Sequence, residues 1–140
     1  MRRMVGEMRL SHDASYEKEA GVLAECARLI LQSFMKYKAA VVVGDEVAGA
    51  LFCGVSGRFF SAGVVVNIEH RKKGYGRLLA QEAMCEYKKE KDSFGSDLGM
   101  YIDAVHPASK RLCQEFGLVY HSSDCDLETY VLPEDVAPPE

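Results

Sequence analysis

The chain has 140 residues, 48% of them hydrophobic and 27% charged. These proportions are typical of one globular domain and exclude wholesale disorder. No apolar run approaches the ~18 residues of a membrane span, no secretory signal is visible, and the net charge of −4 argues against a dedicated nucleic-acid-binding protein.

The first third of the chain begins with weak signals. Residues 1–14 show an alternation that only faintly indicates a strand. Residues 15–37 repeat apolar side chains at helical spacing, which predicts an amphipathic helix with Gly21 as the place for a break.

The pattern then changes to that of strands. Residues 40–43 and 47–55 are rich in β-branched side chains on either side of a Gly-Asp-Glu turn, which predicts a hairpin. After a Ser-Gly turn, residues 59–67 predict a third strand that ends in three valines. Three consecutive strands favour an antiparallel meander.

Helical spacing returns after Gly74 and continues to a polar stretch at residues 91–97. Residues 99–105 predict a strand. Pro107 suits the first turn of a following helix, and Gly117 suits its C-terminal end.

Two last strands are predicted at residues 118–121 and 126–132, with a turn at residues 122–124 between them. The acidic, proline-rich residues 133–140 are expected to be disordered. The chain is therefore predicted to be a single mixed α/β domain over residues 1–132, with six or seven mostly antiparallel strands flanked by helices.

The five cysteines are an odd number and include no C-x-x-C pair. A disulfide framework or a four-cysteine zinc site would need closer, paired spacing, so no metal is expected. We interpret the thiols as small apolar side chains in a reducing compartment, which favours a cytoplasmic protein. The cysteines are Cys26, Cys53, Cys85, Cys113 and Cys125.

Residues 64–79 have a pattern that indicates a ligand-binding site. It places a valine-rich strand, a basic loop with Gly74 and Gly76, and a helix in direct succession. Glycines let another molecule approach the backbone closely, and the first N–H groups of a helix attract anions. This arrangement predicts a phosphate or pyrophosphate site. Basic side chains at the same place are Lys72, Lys73 and Arg77.

Charge distribution supports that prediction. Residues 70–91 contain seven Lys or Arg and three Asp or Glu, a net of +4, whereas the rest of the chain has a net of −8. A basic patch on an acidic domain suits a polyphosphate ligand. Three of these charges, at Lys88, Lys89 and Lys91, simply oppose the dipole at a helix C-terminus.

Two familiar nucleotide motifs do not fit. The Walker sequence G-x-x-x-x-G-K-[ST] is absent, and a dinucleotide fingerprint would need a third glycine where Leu79 stands. What fits is R-x-x-G-x-G at residues 71–76, which resembles the acyl-coenzyme A signature of the GNAT superfamily of N-acetyltransferases. Residues 105–118 are similar to a second motif of that superfamily, and the element order over residues 15–132 also matches.

The resemblance implies transfer of an acetyl group from acetyl-CoA to a primary amine, on a small molecule or a peptide. It implies a strand that splays from its neighbour, with the N–H of Val64 at the thioester carbonyl, Val66 paired with the pantetheine arm, and backbone groups of residues 72–77 at the pyrophosphate. The residues assigned to the coenzyme are Val64, Val66, Arg71, Lys72, Lys73, Gly74, Tyr75, Gly76, Arg77 and His106.

The catalytic residues depart from the superfamily pattern. Where it has a Leu-Tyr pair, this chain has Leu112 and Cys113, so Cys113 is the candidate proton donor to the departing thiolate. Alternatively, Cys113 only packs beside Leu112 and Phe116. Tyr120 is the second candidate acid and Tyr101 a further substitute.

No general base is evident, because residues 58–67 contain no Asp, Glu or His. Glu69, Asp103 and His121 are candidates, and a water relay is an equal alternative. For Glu69 and His121 the simpler interpretation is an exposed polar side chain.

The missing acid and base motivate a second hypothesis, an acyl-CoA-binding regulatory module with little or no transferase activity. A third, a nucleic-acid or redox protein that uses the basic loop or the thiols, is the least favoured. An exposed strand edge leaves formation of a homodimer open.

Overall fold

The computed structural model describes residues 8–27, 34–94, 98–104, 107–124 and 127–132, and every structural statement below concerns these residues. They form a seven-stranded sheet in the order β1-β2-β3-β4-β5-β7-β6 with three α-helices. The elements are β1 Met8–Ser11, α1 Glu17–Ala27, β2 Lys36–Val43, β3 Glu46–Ser56, β4 Phe59–Val66, α2 Tyr75–Phe94, β5 Gly99–Ala104, α3 Pro107–Glu115, β6 Val119–Asp124 and β7 Leu127–Val131.

All strand pairs in this sheet are antiparallel except β4 with β5, which is parallel. The predicted fold class, a mixed and mostly antiparallel sheet with flanking helices, is confirmed. The faint signal at the start of the chain corresponds to β1, which pairs with β2.

The helices pack on both faces of the sheet. Because successive side chains of a strand point to opposite faces, β3 directs Phe52 towards α1 and Leu51 towards α2. Ala20 and Ala24 of α1 are fully buried against the first face. Against the second face lies a larger core that includes Leu79, Ala83 and Tyr87 of α2.

The first predicted helix is partly wrong. Gly21 lies inside an unbroken α1, and residues 36 and 37, predicted to be helical, begin β2. Tyr37 is the cross-strand partner of Phe52, and their rings pack edge to face with centroids 6.1 Å apart. Cross-strand pairing of aromatic side chains therefore overrides the helical periodicity at this point. Residues 28–33 lie outside the described residues.

The turn predicted at residues 122–124 is also wrong, because these residues continue β6. Ser123 pairs with Glu128 and Asp124 with Leu127. The ladder to β7 supplies the hydrogen bonds that polar residues would otherwise find in a turn. A register shift between Tyr120 and Ser122 accommodates His121 as an extra residue.

No helix of the described residues is long and apolar enough to cross a membrane. The tail at residues 133–140 lies outside the described residues, so its predicted disorder stays a prediction.

Candidate functional site

The sheet opens between β4 and β5. These strands pair only at Phe59 with Gly99 and Phe60 with Met100, and beyond these residues their ladder stops. We call this paired region the closed end of the gap, and the region around Val64 and Val66 its open end.

Main-chain groups of β4 face the open end. The N–H of Asn67 donates to the Ala48 carbonyl of β3 at 2.7 Å, and the β3–β4 register has no shift. Since successive residues of a strand direct their N–H and C=O groups to opposite edges, Val64 and Val66 direct theirs away from β3. The Arg58 carbonyl accepts a bond from Gly99 of β5 at 2.9 Å. Arg58 is an even number of residues from Val64 and Val66, so it gives the same direction, towards β5. The edge of β4 is therefore available to pair with a ligand.

The start of α2 lies next to this edge. Its first helical bond runs from the N–H of Leu78 to the Gly74 carbonyl at 3.1 Å, so the amides of residues 75–77 have no acceptor within the helix. Lys72 and Gly74 have φ values of 65° and 85°, and left-handed residues of this kind curl a loop into a concave row of amides. This is the backbone geometry that the predicted anion site requires, and binding of an anion there stays a prediction.

Gly76 lies between these amides and β4 and contributes no side chain to the space there. A Cβ atom built on Gly76 would lie 3.9 Å from Val66 Cγ2 and 3.8 Å from Leu112 Cδ2. These are ordinary contact distances, so the position tolerates a methyl group. A long side chain there would fill the open end.

The basic side chains of the loop differ in what they contact. Arg71 donates Nε–H to the Val66 carbonyl at 3.2 Å, and Arg77 forms an ion pair with Glu115 of α3 at 2.8 Å. Lys72 and Lys73 are exposed, and neither forms an ion pair with a described residue. The two lysines are the side chains best placed to neutralise an anion at the loop.

A cleft follows the gap, and roughly 610 Å³ of space free of protein atoms lies within it and in the open solvent at its mouth. Its described lining is apolar apart from Ser109 and the Cys113 thiol. β4, β5, α2 and α3 all contribute, with Leu118 completing the wall. The lining residues are Ala62, Gly63, Val64, Ala80, Ala83, Met84, Met100, Ile102, Ser109, Leu112, Cys113, Phe116 and Leu118.

The two candidate acids occupy different places. Cys113 is buried and lines the cleft, and burial raises the pKa of its thiol to about 11, so it keeps its proton at neutral pH. Tyr120 is 55% exposed on β6, does not line the cleft, and packs edge to face on Tyr130. The structure brings Cys113, but not Tyr120, to the cleft.

The candidate bases Glu69 and His121 lie on different elements of the fold. Glu69 is exposed next to the loop, and His121 is exposed on β6, where its ring lies 5.9 Å from that of Tyr101. Asp103 belongs to β5 and pairs with Thr129 through the backbone. His106 lies outside the described residues, so its coenzyme assignment stays a prediction.

One contact near the site has no sequence signal. His70 is 13% exposed, and its Nε2 lies 2.6 Å from Glu46 Oε1 at the start of β3. This pair ties the loop to the β2–β3 hairpin across 24 positions of sequence. No motif spans that separation, so only the folded chain reveals it.

No protein-family model matches the sequence, and no curated protein matches it. Many solved structures match its fold. An N-acetyltransferase from Staphylococcus aureus Mu50 is 15% identical with a TM-score of 0.68, over 91% of this chain and 99% of that one. A Bacillus subtilis acetyltransferase in complex with CoA is 17% identical with a TM-score of 0.67, over 90% and 98%.

A third match is an acetyltransferase of the GNAT family from Streptococcus pneumoniae, 13% identical with a TM-score of 0.59, over 89% of this chain and 96% of that one. The chain therefore has the fold of an acyl-group transferase. More narrowly, its fold is that of the GNAT N-acetyltransferases, as the two motifs predicted, and identities this low establish the fold alone.

Proposed function

We propose that the protein is an acetyl-CoA-dependent N-acetyltransferase that moves an acetyl group directly to a primary amine held in the same complex. The observation that carries this proposal is the open edge of β4, which leads from Val64 and Val66 to the amides at the start of α2. A diphosphate and a chain bearing amide groups are the ligand parts that such a row of main-chain donors and acceptors fits.

The residues present fit the coenzyme. Residues 72–77 would hold the pyrophosphate through main-chain amides, with Lys72 and Lys73 adding charge. The missing side chain of Gly76 leaves a passage to the cleft. Arg71 would have to release the Val66 carbonyl before that carbonyl accepts a bond from a ligand.

When bound, acetyl-CoA would supply an acetyl group activated as a thioester. The Val64 N–H, fixed on a strand, is a preorganised donor for the carbonyl oxygen that gains charge as the amine attacks. The cleft would exclude water and hold amine and thioester in contact, which lowers the entropic part of the barrier.

Cys113 is the proposed proton donor to the departing sulfur, because it lines the cleft and keeps its proton at neutral pH. With a pKa of about 11 it is a weak acid, so its contribution to rate is expected to be small. A water relay is the proposed route for the amine proton, since β4 contains no carboxylate or histidine.

The test is calorimetric titration with CoA and acetyl-CoA of the wild type, Gly76→Glu and Gly21→Glu. Gly21 is the matched control, because a Cβ there meets nothing within 4 Å and it lies in α1 on the opposite face of the sheet. We expect Gly76→Glu to lose roughly 100-fold or more in affinity, which is about 2.7 kcal/mol, and Gly21→Glu to bind normally. Equal affinities for the wild type and Gly76→Glu would contradict the site.

The same proteins separate the enzyme from a binding module. Release of free CoA thiol from acetyl-CoA is measured against a panel of small amines and of peptides with a free α-amine or lysine. Transfer to any of them that Gly76→Glu abolishes supports the enzyme. Tight coenzyme binding without transfer to any amine supports the regulatory module, which the absence of a tyrosine at position 113 favours.

A further inference from the structure

The cleft extends past Val64 towards the closed end of the gap. Helix α2 runs alongside β4 in the opposite direction: Gly76 faces Val66 at the open end, and the Tyr87 ring lies 5.4 Å from that of Phe60 at the closed end. Ala62, two residues nearer the closed end than Val64, lines the cleft. The space therefore continues beyond the amide assigned to the thioester carbonyl.

This deeper part of the cleft has small or flexible walls. Ala62 and Ala83 leave room because their side chains end at Cβ, and Met84 and Met100 are flexible side chains that adapt to an apolar ligand. None of the described residues lining it is charged. Water finds few hydrogen-bond partners in such an apolar space. Transfer of an alkyl chain into it is favourable, because apolar surface is removed from water.

The length of the deeper part sets the size of its occupant. Two residues of strand span about 6.6 Å, and an extended alkyl chain with C–C bonds of about 1.5 Å advances roughly 1.3 Å per carbon. The single methyl of an acetyl group leaves most of this length empty.

We propose that, besides acetyl-CoA, the protein takes acyl-CoA donors longer than acetyl, with an unbranched, uncharged acyl chain of roughly four to six carbons seated between β4 and α2. This inference rests on the proposed function, because it takes the coenzyme to bind along β4. Ala83 is the proposed residue that determines chain length, since it is buried and a larger side chain there would fill the space beside Ala62.

The experiment is calorimetric titration of the full chain with CoA, acetyl-CoA, butanoyl-CoA and hexanoyl-CoA. Each methylene buried in the cleft is expected to raise affinity about fourfold, so butanoyl-CoA should bind roughly 16-fold more tightly than acetyl-CoA. In Ala83→Leu this dependence on chain length should vanish, with the affinity for CoA itself unchanged. Ala27→Leu, on α1 at the opposite face, is the matched control and should keep the dependence.

If Ala83→Leu does not fold, Met84→Phe shortens the same space and is expected to give the same loss. Wild-type affinity that is flat or falls with chain length, while CoA binds, would overturn this inference and leave the proposed function standing. Dependence of affinity on chain length that persists in Ala83→Leu and Met84→Phe would also overturn it. Failure of the wild type to bind CoA would overturn the proposed function, and this inference with it.

Discussion

The closed end and the open end of the gap between β4 and β5 are built from different parts of the chain. At the closed end side chains fill the space, since Phe60 is 1% exposed and packs on Tyr87. At the open end main-chain groups of Val64 and Val66 face the space, and Gly76 contributes no side chain. A few residues along one strand thus separate a part that stabilises the fold from a part that has room for a ligand.

The largest effect on stability is expected at the closed end. Phe60→Ala should lower the free energy of unfolding by about 3–5 kcal/mol, because it empties a fully enclosed site. Phe59→Ala is the neighbouring control: Phe59 is 46% exposed and forms a T-shaped ring pair with Tyr101 at a centroid distance of 4.7 Å, so its loss should be about 1 kcal/mol. Urea denaturation measures both, and equal losses would contradict the assignment of the closed end as core.

The solid core and the cleft can be compared through two buried thiols, because each makes the free energy of unfolding depend on pH. Burial raises the pKa of Cys53 to about 12 and that of Cys113 to about 11. In the unfolded chain a thiol ionises near pH 8.5. Between about pH 8.5 and 11 the unfolded state therefore binds fewer protons than the folded state, and stability falls as pH rises.

From pH 9 to pH 10 each of these thiols should cost roughly 1.2 kcal/mol. Urea denaturation at the two pH values, on the wild type and on Cys53→Ala and Cys113→Ala, measures each share. Each substitution should remove the share that belongs to its own thiol, and the rest of the loss includes the buried tyrosines Tyr37 and Tyr130, whose pKa values are raised to about 12. If Cys113→Ala leaves the loss unchanged, the cleft is wetter around that thiol than its burial indicates.

Local signals in the sequence were sufficient for most of the elements. The turns at Gly44 and Gly57 are real, with φ values of 60° and 62°, and glycines at such positions are visible in a sequence because other residues are strained there. The strand of Lys36 and Tyr37 was missed because its cause is a partner on β3. Pairing between distant segments overrides local periodicity and leaves no local trace.

The candidate site divides in the same way. The glycines and the strand-to-helix order predicted the backbone geometry of the loop, since that geometry depends on adjacent residues. The contacts of Arg71 with Val66 and of His70 with Glu46 were not predicted, because they depend on how the loop packs. That the main-chain groups of Val64 face the gap was expected only from the resemblance. The alternation of N–H and C=O directions along β4 establishes this direction.

The two glycines of the loop should respond oppositely to alanine. Gly74→Ala is expected to cost about 1–2 kcal/mol of stability, because its φ of 85° is left-handed. Gly76→Ala adds a methyl at ordinary contact distance inside the first turn of α2, so stability should change by less than about 0.5 kcal/mol, while affinity for CoA falls. Thermal unfolding and calorimetric titration separate the two, and matching stability losses would contradict a strained loop.

The smallest effect is expected from the ion pair that joins α2 to α3 at the open end. Arg77 donates Nε–H and Nη2–H to one oxygen of Glu115 at 3.0 and 2.8 Å, but both side chains are about half exposed. A double-mutant cycle of Arg77→Ala and Glu115→Ala should give a coupling of about 0.2–1 kcal/mol that weakens in high salt. A coupling above about 2 kcal/mol would mean that this pair holds the two helices together. In that case the open end would resist entry of a ligand, and apolar packing would no longer account for the difference between the two ends.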